Sequence, residues 1–162
     1  MIDVRLLLLD GSILTAVFAA FVVGSMLWKP RMWLHDFPAD IQARVPPKTE
    51  EERRLTKRFA VPFFVVLLAG FAITGLRYGD ANGFWGLALH LYLIWQMINL
   101  FDLVVLDWGG MHLIDPRRPP LAGTEGAKGY RDYGFHFVGF LKGSVMGVAL
   151  ALAVAVPVWF LA

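Results

Sequence analysis

The sequence predicts an all-α integral membrane protein, an antiparallel bundle of four transmembrane helices in one domain of 162 residues. The first observation is composition: 57% of the residues are hydrophobic, 17% are charged, and the mean hydropathy is +0.58. A soluble domain carries about 25% charged residues, and a chain of this length cannot bury such an apolar excess in one core. The other two observations are four long apolar segments and a one-sided distribution of basic residues.

Four segments meet the length requirement for a membrane-spanning helix, which needs roughly 20 apolar residues to cross a hydrocarbon core ~30 Å thick. They cover residues 6–28, 59–76, 84–106 and 135–161. The first segment is not typical of a cleavable signal peptide. Asp3 offsets Arg5 ahead of it, and Asp10 interrupts a long apolar run.

Basic residues predict the orientation, because Lys and Arg resist translocation across the membrane. Of the 15 Lys and Arg residues, eight lie between the first two segments and four between the last two, with Lys142 just inside the fourth. Only Arg5 and Arg77 fall on the other side. We therefore expect both termini on the non-cytoplasmic side of a bacterial-type inner membrane, and both long connections on the cytoplasmic side.

The connections are expected to carry short interfacial helices. Pro38 favours a helix over residues 39–45, which a Pro-Pro pair ends. Thr49 and Glu52 form a capping box, so a further helix begins there and continues into the second span. Residues 77–83 form a tight turn, which makes the second and third spans antiparallel neighbours.

Polar and small residues follow helical spacing on the last two spans. Four polar residues share one face of the third span, at spacings of four, three and three. They are Tyr92, Gln96, Asn99 and Asp102. On the fourth span a ridge of small residues permits close helix approach. It consists of Gly139, Gly143 and Gly147.

Ionisable residues concentrate in the predicted cytoplasmic half, although each costs about 2.5–3.5 kcal/mol at the bilayer centre. A histidine and a carboxylate with separated pKa values support general acid–base chemistry, and His136 with Asp102 or Asp132 fits that pattern. The predicted reactive groups are His136, Asp102 and Asp107. The predicted substrate-binding residues are Lys142, Arg131, Asn99, Gln96, Tyr92, His35 and Asp36.

Purely structural roles compete with these assignments. Asp102 has Lys142 as an alternative ion-pair partner, while Gln96 and Asn99 suit hydrogen bonds between helices. Asp10 is expected to pair with Arg77 or Arg5 at the other surface. A metal site built from His35, His112 and His136 with Asp102 or Asp107 lacks a recognised ligand spacing, and no cofactor is identified.

Three functions remain open on the sequence: a membrane-embedded enzyme or lipid-binding protein for an amphipathic substrate, a subunit of an oligomeric transporter or channel, and a scaffold for a larger complex. The expected partners are membrane lipids, with a protein partner or a homo-oligomer as alternatives. The chain has no cysteine, which excludes disulfides and thiolate catalysis. We expect no nucleic-acid binding, because the basic residues lie against the membrane.

Overall fold

The chain folds into helices joined by turns. The computed structural model describes residues 2–79, 82–115 and 117–161, and those ranges contain no strand. Four helical segments are long and apolar enough to cross a membrane, which confirms the predicted number of spans. The helices are α1 (Val4–Trp28), α2 (Ala39–Gln42), α3 (Glu50–Tyr78), α4 (Gly83–Phe101), α5 (Gly110–Leu113) and α6 (Tyr133–Leu161). The spans are α1, α3, α6 and the segment Gly83–Leu113, which contains α4 and α5.

The start of α3 confirms the predicted capping box. Thr49 Oγ1 accepts a hydrogen bond from the Glu52 N–H at 3.2 Å, and Glu52 Oε2 accepts one from the Thr49 N–H at 2.8 Å. Arg31 Nε lies 2.5 Å from Glu52 Oε1, and Arg31 Nη2 donates to Pro46 O at 3.1 Å. The first connection is therefore tied to the start of α3, which continues unbroken to Tyr78.

The connections differ from the prediction in two places. The interfacial helix covers only residues 39–42, because Arg44 and Val45 donate to carbonyls three residues back and the Pro-Pro pair follows. The third span is longer than the predicted segment 84–106, because the chain stays helical to Leu113. The predicted tight turn includes Asp80 and Ala81, which lie outside the described ranges.

The main core lies among the four spans, and α4 contacts α1, α3 and α6. One face of α4 is almost completely buried, at spacings of four, three and four residues. Its residues are Leu87, Leu91, Ile94 and Ile98. Phe71 of α3 and Ala155 of α6 are fully buried in the same cluster. Many large apolar side chains on α1, α3 and α6 stay exposed, as expected for helices that face lipid.

The two long connections fold against each other and bury a second, smaller core. We call it the connection core; it consists of Leu34, Ile41, Leu121, Ala127 and Tyr130. Asp40 Oδ2 accepts a hydrogen bond from the Gly129 N–H at 2.9 Å, and Arg44 Nη1 donates to Glu125 O at 3.1 Å. These contacts join parts of the chain that are more than 80 residues apart.

Candidate functional site

A π-helical segment, Asp102–Gly109, follows α4 directly. In a π-helix each N–H donates to the carbonyl five residues back; such helices are rare, usually a single turn, and frequent at functional sites. Asp102 and Asp107 are five residues apart, so a regular α-helix would place them about 140° apart around its axis. The wider π-helical turn instead brings them to the same side on successive turns.

Asp107 and His136 make a close polar contact between the π-helical segment and α6. His136 Nδ1 lies 2.9 Å from Asp107 Oδ2, and the two side chains are 19% and 29% exposed. Asp102 interacts electrostatically with both residues. The three predicted reactive residues therefore lie near one another, but His136 pairs with Asp107 rather than with Asp102 or Asp132. The Asp132 side chain instead accepts a hydrogen bond from the Phe135 N–H at 2.9 Å. We refer to Asp107 and His136 as the Asp–His pair.

The first connection brings a second charged group beside the Asp–His pair. His35 Nε2 lies 3.2 Å from Asp36 Oδ2. Lys48 Nζ lies 3.5 Å from His35 Nδ1 and donates a hydrogen bond to the Met32 carbonyl. Asp36 interacts electrostatically with both members of the Asp–His pair. The sequence pattern did not indicate Lys48 as a site residue, because it was one of eight basic residues that set the orientation.

Burial shifts the pKa values of this second group toward each other. Partial burial raises the pKa of the Asp36 carboxyl, and His35 and Lys48 oppose this rise. In the Asp–His pair, Asp107 adds to the rise and His136 opposes it. Burial lowers the pKa of the Lys48 ammonium, and the nearby Asp36 charge opposes that change. A carboxyl group and an amine shifted in this way exchange a proton more readily near neutral pH than exposed groups do.

Replacing Asp36 with asparagine should change how stability depends on pH. The folded protein holds the Asp36 proton more tightly than the unfolded chain, so its contribution is present below the unfolded pKa of about 3.9 and is lost as pH rises through the raised folded pKa. We therefore expect the wild-type free energy of unfolding to fall relative to Asp36→Asn across that window. Denaturant unfolding of both proteins at a series of pH values measures this, with Asp115→Asn as the charge-matched control. A parallel pH dependence for wild type and Asp36→Asn would contradict the expectation.

The polar stripe of α4 fastens this helix to α6. Gln96 Nε2 and Asn99 Nδ2 donate to Ser144 Oγ at 3.2 and 3.1 Å, and Asn99 Nδ2 also donates to Phe140 O at 3.0 Å. Tyr92 packs against the main core. These contacts give Gln96 and Asn99 the structural role that the sequence left open, one to two turns from Asp102.

The predicted cationic residues do not join the site. Lys142 and Arg131 are exposed, and neither forms a hydrogen bond or an ion pair within the described ranges. His112 Nε2 lies 3.2 Å from Tyr133 Oη and forms no ion pair with Asp107 among the described residues. Among the residues that the structure describes, no group of three or more His, Asp or Glu side chains is placed to hold a metal ion.

Two polar atoms near the site are buried without a partner in the described part of the chain; one belongs to Gln96, a predicted site residue, and the other to Trp108, which sequence reasoning did not place in the site. Trp108 Nε1, one residue beyond Asp107, and Gln96 Oε1 are buried without a hydrogen-bond partner among the described residues. From the sequence alone, Trp108 is expected only to lie at a membrane interface, where tryptophan is common. Together with the carboxylates and the imidazole, these atoms provide both hydrogen-bond donors and acceptors for a ligand.

An apolar groove of about 590 Å³ runs between α1 on one side and α4 with the π-helical segment on the other. Val104 and Val105, which line it, lie between Asp102 and Asp107 in the chain. Ser12 and Thr15 of α1 form part of the opposite wall. A polar group of side chains and an apolar groove therefore share the same helical segment.

Comparisons with protein-family models, with curated protein sequences and with solved structures return no match for this chain.

Proposed function

We propose that this chain is a membrane protein that binds an amphipathic, lipid-like molecule at the cytoplasmic leaflet, where the Asp–His pair can supply general acid–base chemistry. The observation that carries the proposal is the π-helical segment, which brings Asp102 and Asp107 to one side and places Asp107 against His136. A rare helical geometry that gathers ionisable groups inside a membrane span is typical of a functional site.

The topology that accompanies this proposal is an antiparallel bundle in a bacterial-type inner membrane, with both termini on the non-cytoplasmic side. Of the 15 basic residues, 13 belong to the two long connections or, for Lys142, to the fourth span near its predicted cytoplasmic end. The positive-inside rule then assigns the connection core to the cytoplasm. Asp36, the Asp–His pair and Asp102 accordingly lie at the cytoplasmic boundary of the bundle.

The chemistry of the site favours a ligand with a polar head and an apolar chain. Three carboxylates, Asp36, Asp102 and Asp107, favour a head group that donates hydrogen bonds, and Trp108 Nε1 offers a donor in return. A groove on the α1 side of the same helical segment is lined almost entirely by apolar side chains, which suits a hydrocarbon chain. In the acid–base step, His136 is the group that takes or gives the proton, and Asp107 orients and stabilises the imidazolium.

Native mass spectrometry of the protein released from mild detergent tests the proposal. We expect the wild-type chain to retain one lipid-like molecule in stoichiometric amount, and Asp102→Asn, Asp107→Asn and His136→Gln to lose most of it. Asp115→Asn changes the same residue type outside the site and is expected to retain it. Elemental analysis of the same sample tests for a bound metal.

Three results would contradict the proposal. The first is a ligand-free monomer, and the second is retention of the ligand by all three site variants. The third is a ligand-free assembly: a defined homo-oligomer would favour a transporter or channel subunit, and a co-purifying protein would favour a scaffold.

A further inference from the structure

A second group of polar side chains is buried at the other end of α4 from the π-helical segment. Asp10 on α1, Tyr78 on α3 and His90 on α4 are only 3%, 7% and 0% exposed. The rings of Tyr78 and His90 stack with centroids 4.1 Å apart and an interplanar angle of 19°, and His90 interacts electrostatically with Asp10. Three helices thus bring three hydrogen-bonding side chains to one buried place, which we call the Asp–Tyr–His cluster.

The polar atoms of this cluster are mostly without partners. Arg77 Nη1 donates to Asp10 Oδ1 at 2.5 Å, which satisfies one carboxylate oxygen. Asp10 Oδ2, Tyr78 Oη and both ring nitrogens of His90 have no hydrogen-bond partner among the described residues. Each unsatisfied buried donor or acceptor destabilises the fold, and buried polar groups in folded proteins are nearly always partnered. Four such atoms in one cluster therefore indicate a site that is completed by a bound group.

The chemistry of the four atoms restricts what that group is. Asp10 Oδ2 only accepts hydrogen bonds, the Tyr78 hydroxyl donates or accepts, and a neutral imidazole donates from one nitrogen and accepts at the other. The two ring nitrogens point away from each other, so one small group bonds only one of them. A group that also serves Asp10 Oδ2 and the tyrosine hydroxyl must both donate and accept. The Arg77 guanidinium already balances the Asp10 charge, which favours a neutral group, and the close ring stacking favours a small one.

We propose that the Asp–Tyr–His cluster is a buried binding site for a hydroxyl group, either of a water molecule or of a hydroxyl-bearing lipid head group. An ammonium ion only donates hydrogen bonds, so it cannot accept one from the imidazole N–H or from the tyrosine hydroxyl. A phosphate would bring further negative charge against the Asp10 carboxylate, which Arg77 already balances. The site is independent of the Asp–His pair, since the two lie at opposite ends of α4.

Nuclear magnetic resonance of protein labelled with nitrogen-15 only in histidine tests the site, because the chain contains four histidines. His90→Gln assigns the His90 signals by their disappearance. We expect a cross-peak between the His90 ring N–H and a hydroxyl proton. If the unprotonated nitrogen is instead the bound one, it should have a chemical shift typical of a hydrogen-bond acceptor. Tyr78→Phe and Asp10→Asn should each reduce the cross-peak at least severalfold, while Tyr92→Phe, a change of the same type on α4, should leave it unchanged.

The sample composition separates the two sources of the hydroxyl group. A cross-peak at the water frequency in a detergent without hydroxyl groups identifies water. A cross-peak to an alcohol proton that appears only in nanodiscs containing phosphatidylglycerol identifies the lipid head group. The proposal is overturned if His90 gives no cross-peak and its unprotonated nitrogen has the shift of an unbonded imidazole. It is also overturned if Tyr78→Phe leaves the cross-peak at full intensity, a result that does not depend on how well Asp10→Asn folds.

Discussion

Replacing Arg77 with methionine is expected to lower the free energy of unfolding by about 3 kcal/mol, because it leaves a buried carboxylate without its counter-charge. Asp10 is 3% exposed and lies 2.5 Å from Arg77 Nη1. The expected loss lies at the lower end of the usual range for a broken buried ion pair, because the Arg77 side chain is itself 45% exposed and water reaches this side of the pair. Methionine keeps most of the aliphatic length of arginine, which limits the loss of packing. Unfolding in mixed micelles that contain an increasing fraction of a denaturing detergent measures the difference in the free energy of unfolding.

Arg5→Met is the matched control for this prediction. Arg5 is the other basic residue at the same end of the molecule, and its exposed side chain forms no ion pair within the described ranges. We expect Arg5→Met to change stability by less than about 0.5 kcal/mol. Asp10→Asn in the Arg77→Met background should recover most of the loss, since it removes the uncompensated charge. Equal destabilisation by Arg77→Met and Arg5→Met would show that the ion pair does not stabilise the fold.

The sequence identifies Asp10 as needing a partner but not which of two arginines provides it. Hydropathy and length predict four spans because both are local properties of a segment, and all four are found. The choice between Arg5 and Arg77 depends on how α1 and α3 are rotated and shifted against each other. That relation is set by packing across the core, where Leu14 and Phe71 are buried together, and it leaves no periodic signal in the sequence.

The residues of the Asp–His pair were predicted, but the contact of His136 with Asp107 was not, for a different reason. Sequence reasoning assigns faces with the α-helical repeat, in which residues five apart lie on different sides. Asp102 therefore looked like the end of the stripe that includes Gln96 and Asn99, and Asp107 looked like part of the following connection. The π-helical turn changes that geometry, and composition alone does not predict it. The correct residue types were predicted, but the pairing of His136 was not.

The connection core could not be predicted from the sequence pattern either. The contact of Asp40 with Gly129 spans 89 residues of sequence, and neither connection has a regular repeat that would indicate its neighbour. Only the local element next to it, the capping box of Thr49 and Glu52, was predicted correctly. Local capping is determined within four residues, whereas the position of Asp36 beside the Asp–His pair requires both connections to be folded.

Replacing Gly147 with alanine is expected to lower the free energy of unfolding by about 1–3 kcal/mol, the usual cost of overfilling a packed interior. A Cβ atom at Gly147 would lie 2.1 Å from Trp95 Cδ1 and 2.5 Å from Trp95 Nε1. The indole has no flexible end that can move away, and its Nε1 donates to Gly143 O at 2.8 Å. Relief of the clash therefore either breaks this hydrogen bond or separates α4 from α6.

Gly139→Ala provides the control on the same helix, at the same repeat of four residues. A Cβ atom there meets nothing within 4 Å, so the variant should be as stable as wild type or gain up to about 1 kcal/mol from the higher helix propensity of alanine. The predicted glycine ridge thus has unequal members, since Gly143 and Gly147 contact α4 closely while Gly139 does not. Unfolding midpoints of wild type, Gly147→Ala and Gly139→Ala, measured side by side, show whether an added methyl group destabilises only the close contact at Gly147. If both variants shift by the same amount, the close approach of α4 to α6 at Gly147 is not what holds these helices together.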